Sequence, residues 1–146
     1  MLTTFKEDIP PNLIELKILA GKHDDWKSRL RAIEELGEWK CNESISILWD
    51  HMLNDKVYKI QEAAFKKLQR FDEKVKLPRK SKGNLIKGID KPLKIIKDSL
   101  TDDHNFQDFK EKLKIDQPEI FDTYEGDKGN QFEKWLINKW SSLPKK

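Results

Sequence analysis

Cysteine is almost missing from this sequence: Cys41 stands alone among 146 residues. No intramolecular disulfide can form, and a zinc knuckle would lack its second thiolate. Histidine is scarce as well. His23, His51 and His104 are scattered without metal-ligand spacing and are expected to be ordinary surface or capping residues. No apolar run approaches the length of a membrane span. The opening MLTTFKEDIPPNL has no apolar signal region, so a cytoplasmic protein with no membrane partner is expected. There is no Gly-rich phosphate loop, no nucleophile elbow and no Cys/His pair in a motif. The run Asp122 to Glu133 has the length of a calcium loop. It places Tyr124 at the third ligand position and Asp127 where that loop needs glycine. No catalytic residue, metal site or cofactor is expected, and the chain is not expected to be an enzyme.

What the chain does hold is charge and aromatic bulk. Charged residues make up 38% and hydrophobic ones 36%, so the core must be modest for one domain or two very small ones. Five Trp and seven Phe argue against disorder. The net charge of +3 is small, but its distribution is not even. Residues 1–70 hold twelve basic and twelve acidic side chains. Residues 74–97 hold nine basic side chains against one acid, Asp90, and residues 98–146 are net acidic.

The first half repeats. Residues 11–39 align with residues 43–71 at a constant offset of 32, without a gap. Leu13 falls on Ile45, Leu16 on Leu48, Ala20 on Met52, Trp26 on Tyr58, Ala32 on Ala64, Ile33 on Phe65 and Leu36 on Leu68. Apolar residues recur at spacings of three and four, the period of a helix. Each copy reads as two helices. The first opens at Pro10-Pro11, where a missing N–H is harmless, and stops near Gly21. Asp24 or Asp25 caps the next helix, about 25–38. In the second copy, Asn42 or Ser44 starts a helix to about Leu53, and Asn54-Asp55 turns the chain into another that ends near Arg70.

The second helices carry Arg29-Leu-Arg-Ala32-Ile33-Glu-Glu-Leu36-Gly37 and Gln61-Glu-Ala63-Ala64-Phe65-Lys-Lys-Leu68-Gln69. This pattern, behind an Asp-containing turn, resembles the short HEAT repeat of the phycobilisome-lyase type, over residues of about 10–71. The second copy departs from it at Gln61 and Gln69, where the family has arginine and glycine. The resemblance implies an α-α superhelix used for binding, usually of other proteins. Few members are enzymes; DNA glycosylases and bilin lyases of the family use many more repeats than two. Two repeats cannot close their own ends, so the second half is expected to cap them.

That second half reads as helical too. Asp90 to Leu100 forms a helix with Asp90 as cap and Pro92 in its first turn, a degenerate third unit. Residues 105–113, 117–124 and 130–142 carry apolar stripes, with Glu125 to Asn130 breaking the chain between the last two. A helix-turn-helix with 130–142 as its recognition helix is the sharper alternative; Lys134 and Lys139 are all the cations that helix offers. The expected organisation is HEAT-like repeats over 1–73, a basic linker over 74–89, and a helical unit over 90–146 packed on the repeats. The fold class is all-α.

The cations suggest two contact sets. A protein partner, of unidentified nature, would meet the surface around Arg29, Arg31, Lys59 and Lys66, on the second helices that the family turns to its concave face. Arg29 also has a structural role open to it, bonding the carboxylate or carbonyl of a neighbouring turn. The alternative is nucleic acid, with Arg79, Lys80, Lys82, Lys87, Lys91 and Lys94 on phosphates. No aromatic residue interleaves Lys74 to Lys87, so base stacking has no local platform there. A degenerate repair or lyase enzyme is a third class, and it would need a pocket holding a carboxylate beside Trp.

Overall fold

The computed structural model describes residues 5–80 and 85–144, and these are all-α. The chain divides into two compact units, Met1–Lys80 and Ser81–Lys146. The first holds α1 (Leu13–Ala20), α2 (Trp26–Leu36), α3 (Asn42–Asn54) and α4 (Tyr58–Arg70). The second holds α5 (Asp90–Ser99), α6 (Phe106–Asp116), α7 (Pro118–Lys128), a 3-10 turn (Gly129–Gln131) and α8 (Phe132–Ser142).

In the first unit α1 packs on α2, α3 on α4, and α2 lies beside α4. The repeat register is the packing register. Leu16 and Leu48, Ala20 and Met52, Ala32 and Ala64, and Leu36 and Leu68 are buried in equivalent pairs within one core. Each fully buried Leu or Ile side chain contributes about 1.5–3 kcal/mol of transfer free energy. Asp25 starts α2, its carboxylate accepting from the Ser28 N–H at 3.1 Å and the Ser28 hydroxyl at 2.7 Å. These bonds hold the Asp25 carboxyl below its ordinary value, against the opposing effect of burial. Cys41 occupies the cap of α3, with its Sγ accepting from the Ser44 N–H at 3.5 Å. The lone thiol is thus a capping group, at a position expected for Asn42 or Ser44.

The stretch expected as a basic linker is shared between the units. Glu73 accepts from Trp49 Nε1 at 3.4 Å, Val75 and Leu77 pack against the first core, and the Pro78 carbonyl accepts from the Tyr58 hydroxyl at 3.0 Å. Residues 73–78 thus lie on the first unit as a strap, with Lys74 and Lys76 outward and Val75 and Leu77 inward. Leu85, Ile86 and Ile89 belong to the core of the second unit.

The second unit closes its own core from Ile89, Leu93, Ile96, Phe109, Leu113, Phe121, Tyr124, Phe132 and Leu136. Its α5 packs on α6 and α8, and α6 and α8 both pack on α7. Tyr124 stacks on Trp135 with ring centroids 4.3 Å apart, and Phe121 meets Phe132 edge-on at 5.1 Å. The Tyr124 hydroxyl accepts from the Ile86 N–H at 2.9 Å. Burial, with the Asp127 charge, pushes the Tyr124 hydroxyl above its ordinary value.

Two expectations are corrected here. Asp90 does not cap α5: Ile89 holds the cap position without a side-chain bond, and the Asp90 carboxylate pairs with Lys139 at 2.8 Å instead. The break placed at Glu125 falls later, because α7 continues through Gly126 to Lys128. Gly126 is buried, and packing outweighs its poor helix propensity. The turn comes at Gly129, whose φ of 54° lies in the left-handed region that glycine enters freely. Asn105 caps α6 in a reciprocal capping box with Asp108.

Candidate functional site: the outer face of α2 and α4

α2 and α4 run side by side in the same direction. At their N-terminal ends Lys59 lies over Trp26, with Nζ 5.4 Å from the ring centroid. At their C-terminal ends Lys67 reaches Glu34 at 3.6 Å and Glu38 at 3.2 Å, and Arg70 reaches Glu38 at 3.3 Å. Burial raises the Glu38 carboxyl, but the hydrogen bonds and charges of Arg70 and Lys67 outweigh it, and the net shift is downward. Gly37 sits where the stem of Lys67 crosses: a Cβ at Gly37 would lie 2.2–2.8 Å from three Lys67 carbons. The close approach of the two helices needs glycine at that point.

The four expected contact residues separate. Arg29 is 6% exposed and turned into the molecule. Its Nε donates to Asp55 Oδ2 at 3.1 Å, one terminal nitrogen donates to Asp55 Oδ1 at 3.4 Å, and the other to the Lys22 carbonyl at 2.7 Å. His51 donates from Nδ1 to Asp55 Oδ2 at 2.8 Å, and the Val57 N–H donates to Asp55 Oδ1 at 2.9 Å. Burial alone would raise the Asp55 carboxyl. The bonds from His51, Arg29 and Val57, with the Arg29 charge, hold it below its ordinary value. Arg29 therefore takes the structural role, joining the first helix pair to the turn of the second, and its guanidinium is not presented outward. Asp55 and His51 are the members of this network that the contact set did not include; Asp55 at the inter-helix turn was the signal for them.

Arg31, Lys59 and Lys66 are exposed. Their helical positions lie opposite the buried positions Ala32, Ile33 and Leu36 on α2, and Ile60, Ala64 and Leu68 on α4. Lys27, one turn before Arg31, is exposed on the same side, with Nζ 5.8 Å from the Trp26 centroid.

The alternative set falls on both units. Arg79 and Lys80 are exposed on the first unit, and Lys80 Nζ lies 5.9 Å from the Tyr58 centroid. Lys82 lies outside the described residues. Lys87 and Lys91 are exposed on the second unit. Lys94 is half-buried and bonded to Asp98 at 2.6 Å, four residues on, so its charge is already matched within α5. The lone acid of the basic stretch, Asp90, pairs with Lys139 at 2.8 Å. That pair takes up one of the two cations of the α8 region.

No group of three or more His, Cys, Asp or Glu side chains that could hold a metal ion exists among the described residues, and no helix there is long and apolar enough to cross a membrane. Compared with models of known protein families, with curated proteins and with solved structures, the chain finds no match.

Proposed function

We propose that the chain is a non-enzymatic binding module of the HEAT-like kind, meeting a protein partner through the outer face of α2 and α4. The observation that carries this reading is the state of the charges on that face. Its acids Glu34 and Glu38 are bound by Lys67 and Arg70. Arg31, Lys59 and Lys66 stand exposed, and no ion pair holds them among the described residues. The family resemblance supports the same face, because it assigns binding to the second helix of each pair and implies a short superhelix. The test is site-specific photo-crosslinking in cells. A crosslinker at Lys66 should capture a discrete protein that one at Ser46, exposed on α3, does not. Equal capture from both positions, or none from Lys66, would sink the reading.

The second reading, a nucleic-acid accessory protein, rests on the exposure of Lys74, Lys76, Arg79, Lys80, Lys87 and Lys91. Its test is fluorescence anisotropy with labelled duplex DNA, single-stranded DNA and RNA. Binding that survives physiological salt and disappears when Arg79, Lys80 and Lys82 become Glu would favour it over the first.

A further inference from the structure

The outer face of α2 and α4 is uneven along its length. Towards the C-terminal ends the charges are consumed by Lys67, Arg70, Glu34 and Glu38. Lys27, Arg31, Lys59 and Lys66 are left exposed and outside any ion pair among the described residues. They form two rows. Lys27 and Arg31 are one turn apart on α2, about 6 Å. Lys59 and Lys66 are two turns apart on α4, about 10 Å. The rows meet at Trp26, where Lys27 and Lys59, one from each helix, bring their ammonium groups within 5.8 and 5.4 Å of the same ring centroid.

Resting on the reading of this face as a partner site, we propose that its occupant is an acidic polypeptide segment whose carboxylates meet Lys27, Arg31, Lys59 and Lys66. Charge complementarity selects a peptide over a nucleic acid. Glu35 is exposed and Glu62 half-buried, and neither is in an ion pair among the described residues. A phosphate backbone carries a charge at every step and would run against both. A peptide places its carboxylates at chosen positions and leaves neutral residues opposite Glu35 and Glu62.

The experiment is anisotropy of the full chain against four labelled probes: a Glu/Asp-rich peptide of about twelve residues, long enough to span both rows, its Gln/Asn counterpart, single-stranded RNA and duplex DNA. The expected result is binding of the acidic peptide and not of its amide counterpart. Lys59→Glu with Lys66→Glu should weaken it at least about tenfold, whereas Lys17→Glu with Lys76→Glu, the same change in net charge elsewhere, should leave it within about twofold. Circular dichroism of each variant verifies the fold. Equal loss in both double variants would overturn the proposal, as would RNA or DNA binding with the same dependence on Lys59 and Lys66. No binding of the acidic peptide, with the Lys66 crosslink still formed, would overturn the acidic partner and leave the partner face standing. Absence of both would overturn the two together.

Discussion

The two copies of the repeat differ at two positions that join copy one to the helix pair after it. Copy one has Arg29 and Gly37; copy two has Gln61 and Gln69 at the same positions. In the structure both residues of copy one serve copy two. Arg29 bonds Asp55 in its turn, and Gly37 clears the stem of Lys67 on α4. Copy two is succeeded in its own unit by the strap of residues 73–78, which bonds the Tyr58 hydroxyl and lays Val75 and Leu77 on the core. A strap needs neither a buried guanidinium nor a bare Cα to pass, so the arginine and the glycine have no work at Gln61 and Gln69. The two copies thus differ where copy one has a following helix pair to join and copy two has only the strap.

Breaking the joint between the copies should have the largest effect. Asp55→Ala leaves the Arg29 guanidinium buried without its carboxylate and should destabilise the first unit by about 3–5 kcal/mol in denaturant unfolding. The matching change Gln61→Ala in copy two should stay within about 0.5 kcal/mol. Equal costs would erase the difference between the copies. The same joint predicts a pH dependence. The Asp55 carboxyl is lower in the folded chain than in the unfolded one. Its contribution is therefore complete above the ordinary aspartate value of about 3.9 and is lost as pH falls through the folded value. Wild type should lose stability more steeply below about pH 4 than Asp55→Asn does.

Next comes Gly37→Ala. An alanine normally strengthens a helix end at an ordinary φ, and φ here is −69°. The Lys67 stem reverses that gain, and the variant should cost about 1–2 kcal/mol while loosening the bridges to Glu34 and Glu38. A stabilised variant would show that Lys67 swings aside freely. The strap is tested by Val75→Ala with Leu77→Ala. These half-buried side chains should contribute about 1–2 kcal/mol together, and a smaller change would mean that copy two closes without them.

The smallest effect is expected on α1. Ile14 and Ile18 are 76% and 61% exposed, while copy two has Ser46 and Asp50 at the same positions, also exposed. Changing copy one to match, Ile14→Ser with Ile18→Asp, should alter stability by no more than about 0.5 kcal/mol. A larger loss would mean that the two copies use these positions differently.

The helices were legible because their apolar residues recur at three and four, and because Asp25 stands where a cap belongs. The offset of 32 settled which residues face the core of the first unit, since equivalent positions meet equivalent neighbours. Glu125 to Asn130 misled, because a glycine inside a helix is decided by what packs on it, and Gly126 is buried.

Local pattern thus sufficed for the all-α class, for the paired helices of the first unit and for their buried faces, because helix formation and amphipathic burial depend on residues a few positions apart. Tertiary contact decided the rest. Whether Arg29 points to a partner or to Asp55 depends on a carboxylate 26 residues away. The unmatched charge on Arg31, Lys59 and Lys66, against the matched charge on Lys67, Arg70 and Lys94, depends on which acids the packing brings within 4 Å, and spacing along the chain does not encode that. A lysine looks the same in sequence whether it is spent or free; only its neighbours in space distinguish the two.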